Sequence, residues 1–204
     1  MIKNCIIVII FVCAIGFPAV DAYSADYYCE IMTLKGSASV TSSDSAEKRT
    51  IKEGDMLKPG DLIQVDADSI VDLAYDNEWS NITRVGEYSK MMIKSVYPTG
   101  LKLDRGDIFS KLQNLPKGTT FEIQTPTAVA AVRGTEFFTS VAENGATNVI
   151  TYDQGDSFEH TVDVFSLKEA PGGEVTLGER VSVPEGQKTE ISEMGTAPRV
   201  PEKA

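Results

Sequence analysis

Beyond residue 28 the chain alternates apolar and polar residues with a period of two. In Thr120-Phe121-Glu122-Ile123-Gln124-Thr125 every second residue is apolar, and Ser69–Tyr75 puts Val71, Leu73 and Tyr75 on one face. Arg180–Val183 and Lys188–Ile191 repeat the pattern more briefly. This alternation predicts half-buried strands. Turn signals separate them: Gly54-Asp55, Pro59-Gly60-Asp61, Pro98-Thr99-Gly100, Gly106-Asp107, Asn144-Gly145, Gly155-Asp156 and Pro171-Gly172-Gly173. No window of a dozen residues carries a helical stripe, and the nearest candidate, Ser166–Ala170, runs into Pro171. The fold class expected is all-β, built of short antiparallel strands. A two-layer roll or sandwich and a β-solenoid both fit, since Gly-Asp turns recur but no fixed period matches position to position. The adjacent pair Phe137-Phe138 and the run Met91-Met92-Ile93 predict places covered from both sides.

The N-terminus reads differently. Lys3 precedes an apolar stretch from Cys5 to Val20, broken by Gly16 and Pro18, and Val20-Asp21-Ala22 has the small-residue spacing of a signal-peptidase site. This predicts a signal peptide over 1–22, cleaved after Ala22, and a periplasmic or extracellular protein. An uncleaved anchor would call for ~20 uninterrupted apolar residues. Val12 before Cys13, where a small residue would be needed, argues against a lipid anchor. The divisions expected after the signal are a short segment 23–29, a β domain 30–192 and a flexible tail 193–204, with no membrane span left after cleavage.

Charge narrows the partners. The 204 residues hold 19 Lys and Arg against 30 Asp and Glu, a net charge of −11. Loss of residues 1–22 removes Lys3 and Asp21 and leaves that balance unchanged. Such a surface repels phosphate backbones and anionic lipid, so nucleic acid and membrane surfaces are not expected partners. Cys29 is the one cysteine beyond the signal, so no intrachain disulfide is expected in the exported chain. His160 is the only histidine. A two-histidine metal site is therefore out of reach, no glycine-rich phosphate loop occurs, and neither metal nor cofactor is expected. Flanked by Glu159 and Thr161, His160 reads as exposed on a strand.

The most distinctive stretch runs Phe121-Glu122-Ile123-Gln124-Thr125-Pro126-Thr127-Ala128-Val129-Ala130-Ala131-Val132-Arg133-Gly134-Thr135-Glu136-Phe137. It resembles the signature of the FecR domain family, in which a strand ends in Thr-Pro and Val-Arg-Gly-Thr leads into another. Leu57–Ile63 resembles the family's early Gly-Asp turn, and Leu101–Ile108 its leucine-rich strand pair. Asn148–Gly155 and Val183–Gln187 fall where the family places later hairpins. The resemblance spans about residues 30–192 and implies an exported β domain; no catalytic constellation stands out along the chain, so the domain is expected to be non-catalytic. The best-known relatives are membrane regulators that answer to an iron-siderophore transporter and control a sigma factor. Their cytoplasmic sigma-binding segment has no counterpart ahead of the signal here, so that role is not carried over.

Physical chemistry gives the motif its own reading. Pro126 withholds a ladder donor and ends a strand, and Gly134 permits a positive φ or a close backbone approach. Arg133 is open to two roles: an internal clamp across the turn, which a strand–turn–strand setting favours, or a contact to an anion or partner. Thr125, Pro126, Arg133, Gly134 and Thr135 are thus the candidate residues, structural or partner-binding. Arg105-Gly106-Asp107 spells an adhesion tripeptide but reads as a turn. Asn81-Ile82-Thr83 is a glycosylation sequon inside an expected strand. Asp61, Asp66, Asp68 and Asp72 lack the ligand order of a calcium loop and read as a solvated face. The function expected is a binding or scaffolding module of the cell envelope, tied to signalling, whose partner is an envelope protein or polysaccharide. A carboxylate-dependent, polysaccharide-active enzyme is the alternative.

Overall fold

The computed structural model describes residues 28–156 and 159–204. The expected signal peptide and its cleavage point at Ala22 lie outside the described residues. Among those described, strands form throughout and no helix occurs. In chain order they are β1 (Glu30–Lys35), β2 (Ala38–Thr41), β3 (Lys48–Thr50), β4 (Leu62–Val65), β5 (Ile70–Ala74), β6 (Asn81–Val85), β7 (Lys90–Val96) and β8 (Thr99–Leu112). There follow β9 (Phe121–Gln124), β10 (Ala128–Val132), β11 (Glu136–Val141), β12 (Thr147–Thr151), β13 (Thr161–Glu169), β14 (Val175–Pro184), β15 (Gln187–Ile191) and β16 (Glu202–Lys203). Ser166–Ala170, the nearest thing to a helical stripe, is largely the end of β13.

The strands make two layers, the sandwich among the expected alternatives. One layer runs β3-β2-β4-β7-β8-β9-β10-β13-β14, and the other β1-β5-β6-β8-β11-β12-β15-β16. Every pair is antiparallel except β8–β9. The long strand β8 belongs to both layers. Its first half pairs with β7 and its second half with β6 and β11. The change falls at Gly106, where φ is +90° and Asp104 bulges out of the ladder with β7. A bulge of this kind bends a strand sharply enough to pass it between sheets.

Between the layers lies one continuous core. The alternation seen in sequence is the alternation of burial: Ala128, Ala130 and Val132 of β10, Phe137 of β11 and Val149 of β12 point inward and are buried. Phe121 sits at the centre, edge-on to Tyr75 at 5.7 Å and to Phe137 at 6.3 Å, so one ring joins both layers. Cys29 is completely buried, and burial first, then the Asp61 charge, push its thiol well above the usual range. A buried neutral thiol neither pairs between chains nor reacts. Reducing agent is therefore expected to leave the melting temperature of a chain lacking residues 1–22 unchanged, and Cys29 in the native protein to resist alkylation until unfolded. Rapid labelling of Cys29 in the native state would contradict this.

One expectation is corrected by the layers. Phe138 and Met92 are not covered from both sides, because adjacent strand residues face opposite ways. Phe138 instead lies half-buried on an outer face, in register with Phe109 and Ile150, while Phe109 stacks edge-on against Tyr152 at 5.6 Å. Part of the segment 193–204 lies along β15 of the second layer. The Arg199 amide donates to the Glu190 carbonyl, the Thr189 hydroxyl donates to the Arg199 carbonyl, and β16 pairs with β15. The open edge of β15 supplies these backbone partners, which composition does not reveal.

Candidate functional site

The Thr-Pro corner is a sealed structural joint. Thr125 is buried, its amide donates to the Ala128 carbonyl at 2.8 Å, and its hydroxyl accepts the Ala128 amide at 2.9 Å. The Thr147 hydroxyl of β12, in the opposite layer, bonds the hydroxyls of Thr125 at 2.7 Å and Thr127 at 2.6 Å. Three buried hydroxyls thus satisfy one another across the core, where an unpaired one would cost about 1–3 kcal/mol. Pro126 takes the half-buried point of the corner, where no ladder donor is needed.

The other half of the motif divides its residues between inside and outside. Thr135 is buried, its hydroxyl donates to the Gly134 carbonyl at 2.6 Å, and its own carbonyl accepts the Leu112 amide. Gly134 has φ +111°, while a side-chain carbon there would meet only the Leu112 carbonyl at 3.6 Å. Backbone conformation, not crowding, is what demands glycine. Arg133 does not clamp the turn. It is exposed and makes no hydrogen bond or ion pair among the described residues. The reason is period two: Val129 and Ala131 face outward, and Arg133 continues that row onto the solvent side.

The clamp is His160. It is largely buried rather than exposed on a strand, and its Nδ1 lies 3.1 Å from the Gly134 carbonyl. Its Nε2 lies 3.1 Å from both oxygens of Asp156 and 4.0 Å from Glu185. A carbonyl and a carboxylate can only accept, so both ring nitrogens donate fully only as the imidazolium. Burial alone would lower the pKa, but the Gly134 carbonyl, Asp156 and Glu185 together raise it above the ordinary 6.5. A raised histidine contributes stability that is complete below the unfolded-state pKa and is lost as pH rises through the folded-state value. Melting temperature is therefore expected to fall from mildly acidic to mildly alkaline pH, with His160→Gln flattening that slope. An identical slope in the variant would remove His160 as its source. The contact joins residues 26 apart, which is why sequence reading missed it.

Arg133 opens onto a groove of roughly 650 Å³ on the outer face of the first layer. Its floor is Val129, Ala131 and Phe165, and its rim includes Glu122, Asp163 and Arg180. Arg180 donates to Asp163 at 2.8 Å and lies 5.9 Å from the centre of the Phe165 ring. The Ser182 hydroxyl donates to the same Asp163 oxygen at 2.6 Å. Asp163 is thus occupied by two donors, whereas the Arg133 guanidinium meets no acceptor among the described residues.

The remaining sequence features are structural. The sequon Asn81 is buried, and its amide nitrogen donates to Asp76 and to the Asn114 carbonyl. In the adhesion tripeptide, Asp107 is tucked against Gly86, and burial and then Glu87 raise its carboxyl pKa. Asp61 is buried and accepts the Ser43 and Lys58 amides, and Asp72 holds Arg84 at 2.7 Å. Among the described residues no group of three His, Cys, Asp or Glu side chains is arranged to hold a metal ion. No helix there is long and apolar enough to cross a membrane.

Compared with known proteins, residues 56–155 match the family model described as FecR protein. No curated protein and no solved structure matches the chain. The matched segment runs from before β4 to beyond β12 and contains the whole Thr125–Thr135 motif. Strands β13 and β14 lie outside it but complete the layer that carries the groove.

Proposed function

Because the chain carries a FecR domain over residues 56–155, a domain associated with regulators of signalling, we propose that it is an exported, non-catalytic module. It binds a protein or ligand of the cell envelope and holds it in place for signalling. The apolar stretch from Cys5 to Val20 and the small-residue site Val20-Asp21-Ala22 support export. The observation that carries the binding role is Arg133. The motif spends Thr125, Gly134 and Thr135 on the joint between layers, and it leaves one guanidinium without a partner among the described residues, above an open groove. Structure alone does not require a cation there, and a guanidinium is well suited to carboxylate or phosphate.

The test compares capture of envelope components by the wild type and by Arg133→Glu. The variant is expected to melt within about 0.5 kcal/mol of the wild type, as exposed positions do, and to lose its partner. Equal capture by the variant would place the binding surface elsewhere. Loss of folding would return Arg133 to a structural role.

A further inference from the structure

The charge of this molecule is unevenly distributed. The chain as a whole is −11, yet from β7 to β14 the outer face of the first layer carries Lys90, Lys94, Lys102, Arg133 and Arg180. Among these cations lie the carboxylates of Asp104, Glu122 and Asp163. Their contacts place them on one face: Lys90 and Lys102 reach Asp104 at 3.6 and 3.2 Å, Lys94 donates to Gln124 at 2.7 Å, and Arg180 holds Asp163. Gln124 is in register with Lys102 on one side and Val129 on the other, which continues the face into the groove beside Arg133. With strands ~4.8 Å apart, the cations spread over about 24 Å across six strands.

The ground between the cations is the second observation. Around the apolar floor of Val129, Ala131 and Phe165, with Leu177 beside it, stand the polar groups of Thr120, Thr161, Ser182 and Gln124, and Phe165 is the one aromatic lining the groove among the described residues. A protein-binding centre is usually richer in large apolar anchors. Here, hydroxyl and amide groups alternate with carboxylates that accept and cations that donate. That mixture suits a partner with many hydroxyls and regularly repeated negative charge.

Resting on the reading of this face as the binding surface, we propose that it binds a linear acidic polysaccharide whose carboxylates are spaced along the polymer. The polymer crosses the strands, Arg133 grips one carboxylate, and Lys94 and Lys102 meet others. The hydroxyls find Glu122, Gln124 and Thr161. The remaining acidic surface repels the polymer, which confines it to this face.

The full exported chain is titrated with polygalacturonate, with dextran as the neutral polymer and polyglutamate as the acidic peptide. Polygalacturonate is expected to bind and dextran not. Because ion pairs dominate, affinity should fall about tenfold or more between low and physiological salt. Arg133→Glu should weaken binding at least about tenfold with an unchanged melting temperature, Arg133→Lys should recover part of it, and Lys102→Glu should weaken it less. No binding of polygalacturonate at low salt, or equal binding by Arg133→Glu, overturns the proposal. Equal or tighter binding of polyglutamate also overturns it, in favour of an acidic protein segment. If Arg133→Glu loses the envelope partner while the wild type ignores polygalacturonate, the binding face stands and the glycan is wrong. If Arg133→Glu changes neither, both readings fall.

Discussion

Gly106→Ala is expected to lower stability by roughly 3–5 kcal/mol, combining a strained positive φ with overpacking. At this residue β8 leaves one layer and enters the other. With φ at +90°, an added side-chain carbon would lie 2.5 Å from the Ser89 Cα and 2.2 Å from its hydroxyl. That hydroxyl accepts the Asp107 amide at 3.0 Å and donates to the Asp107 carbonyl at 3.1 Å, so backbone must move and two bonds must loosen. Gly118 is the control. It has φ +83° and nothing within 4 Å of an added carbon, so Gly118→Ala is expected to cost only about 1 kcal/mol. Chemical denaturation of both variants measures the difference. If they lose equal stability, the contact with Ser89 is not what makes Gly106 necessary.

Phe121→Ala is expected to cost about 3–5 kcal/mol, the range for deleting a fully buried aromatic side chain. Its ring is wholly buried and touches Tyr75 and Phe137 of the opposite layer, so its removal opens a cavity at the seam where the layers meet. Such a loss is a large share of a typical total of about 5–15 kcal/mol. Phe109→Ala should cost less, because Phe109 lies on an outer face against Tyr152 and solvent can replace part of its contacts. Reversal of that order in urea melts would mean that the outer aromatic cluster, and not the seam, holds the layers together.

The candidate site was legible only in part. Thr125, Pro126, Gly134 and Thr135 stood out as a motif, and their structural use follows from local chemistry: a proline at a strand end, a glycine at positive φ, and small hydroxyls next to apolar residues. The outward direction of Arg133 follows from period two, as the alternation of β10 extended by one residue. His160 was not legible, since its partners Gly134 and Glu185 lie 26 and 25 positions away. The groove was hidden for the same reason. Glu122, Ala131 and Asp163 become neighbours only when β10 pairs with both β9 and β13.

From sequence alone, this protein's strand content, inward and outward residues and turn positions could be read, as could the motif whose resemblance to the FecR family agrees with the family match over residues 56–155. These depend on neighbours along the chain, where a side-chain period of two and the backbone freedom of glycine act directly. Only the tertiary structure decided that β8 is shared between two layers, that Thr147 locks the Thr-Pro corner and that His160 holds Gly134. It also gathered five cations on one face of an acidic chain. Each of these depends on strand order and on contacts between residues far apart in sequence, which a local pattern permits but does not select.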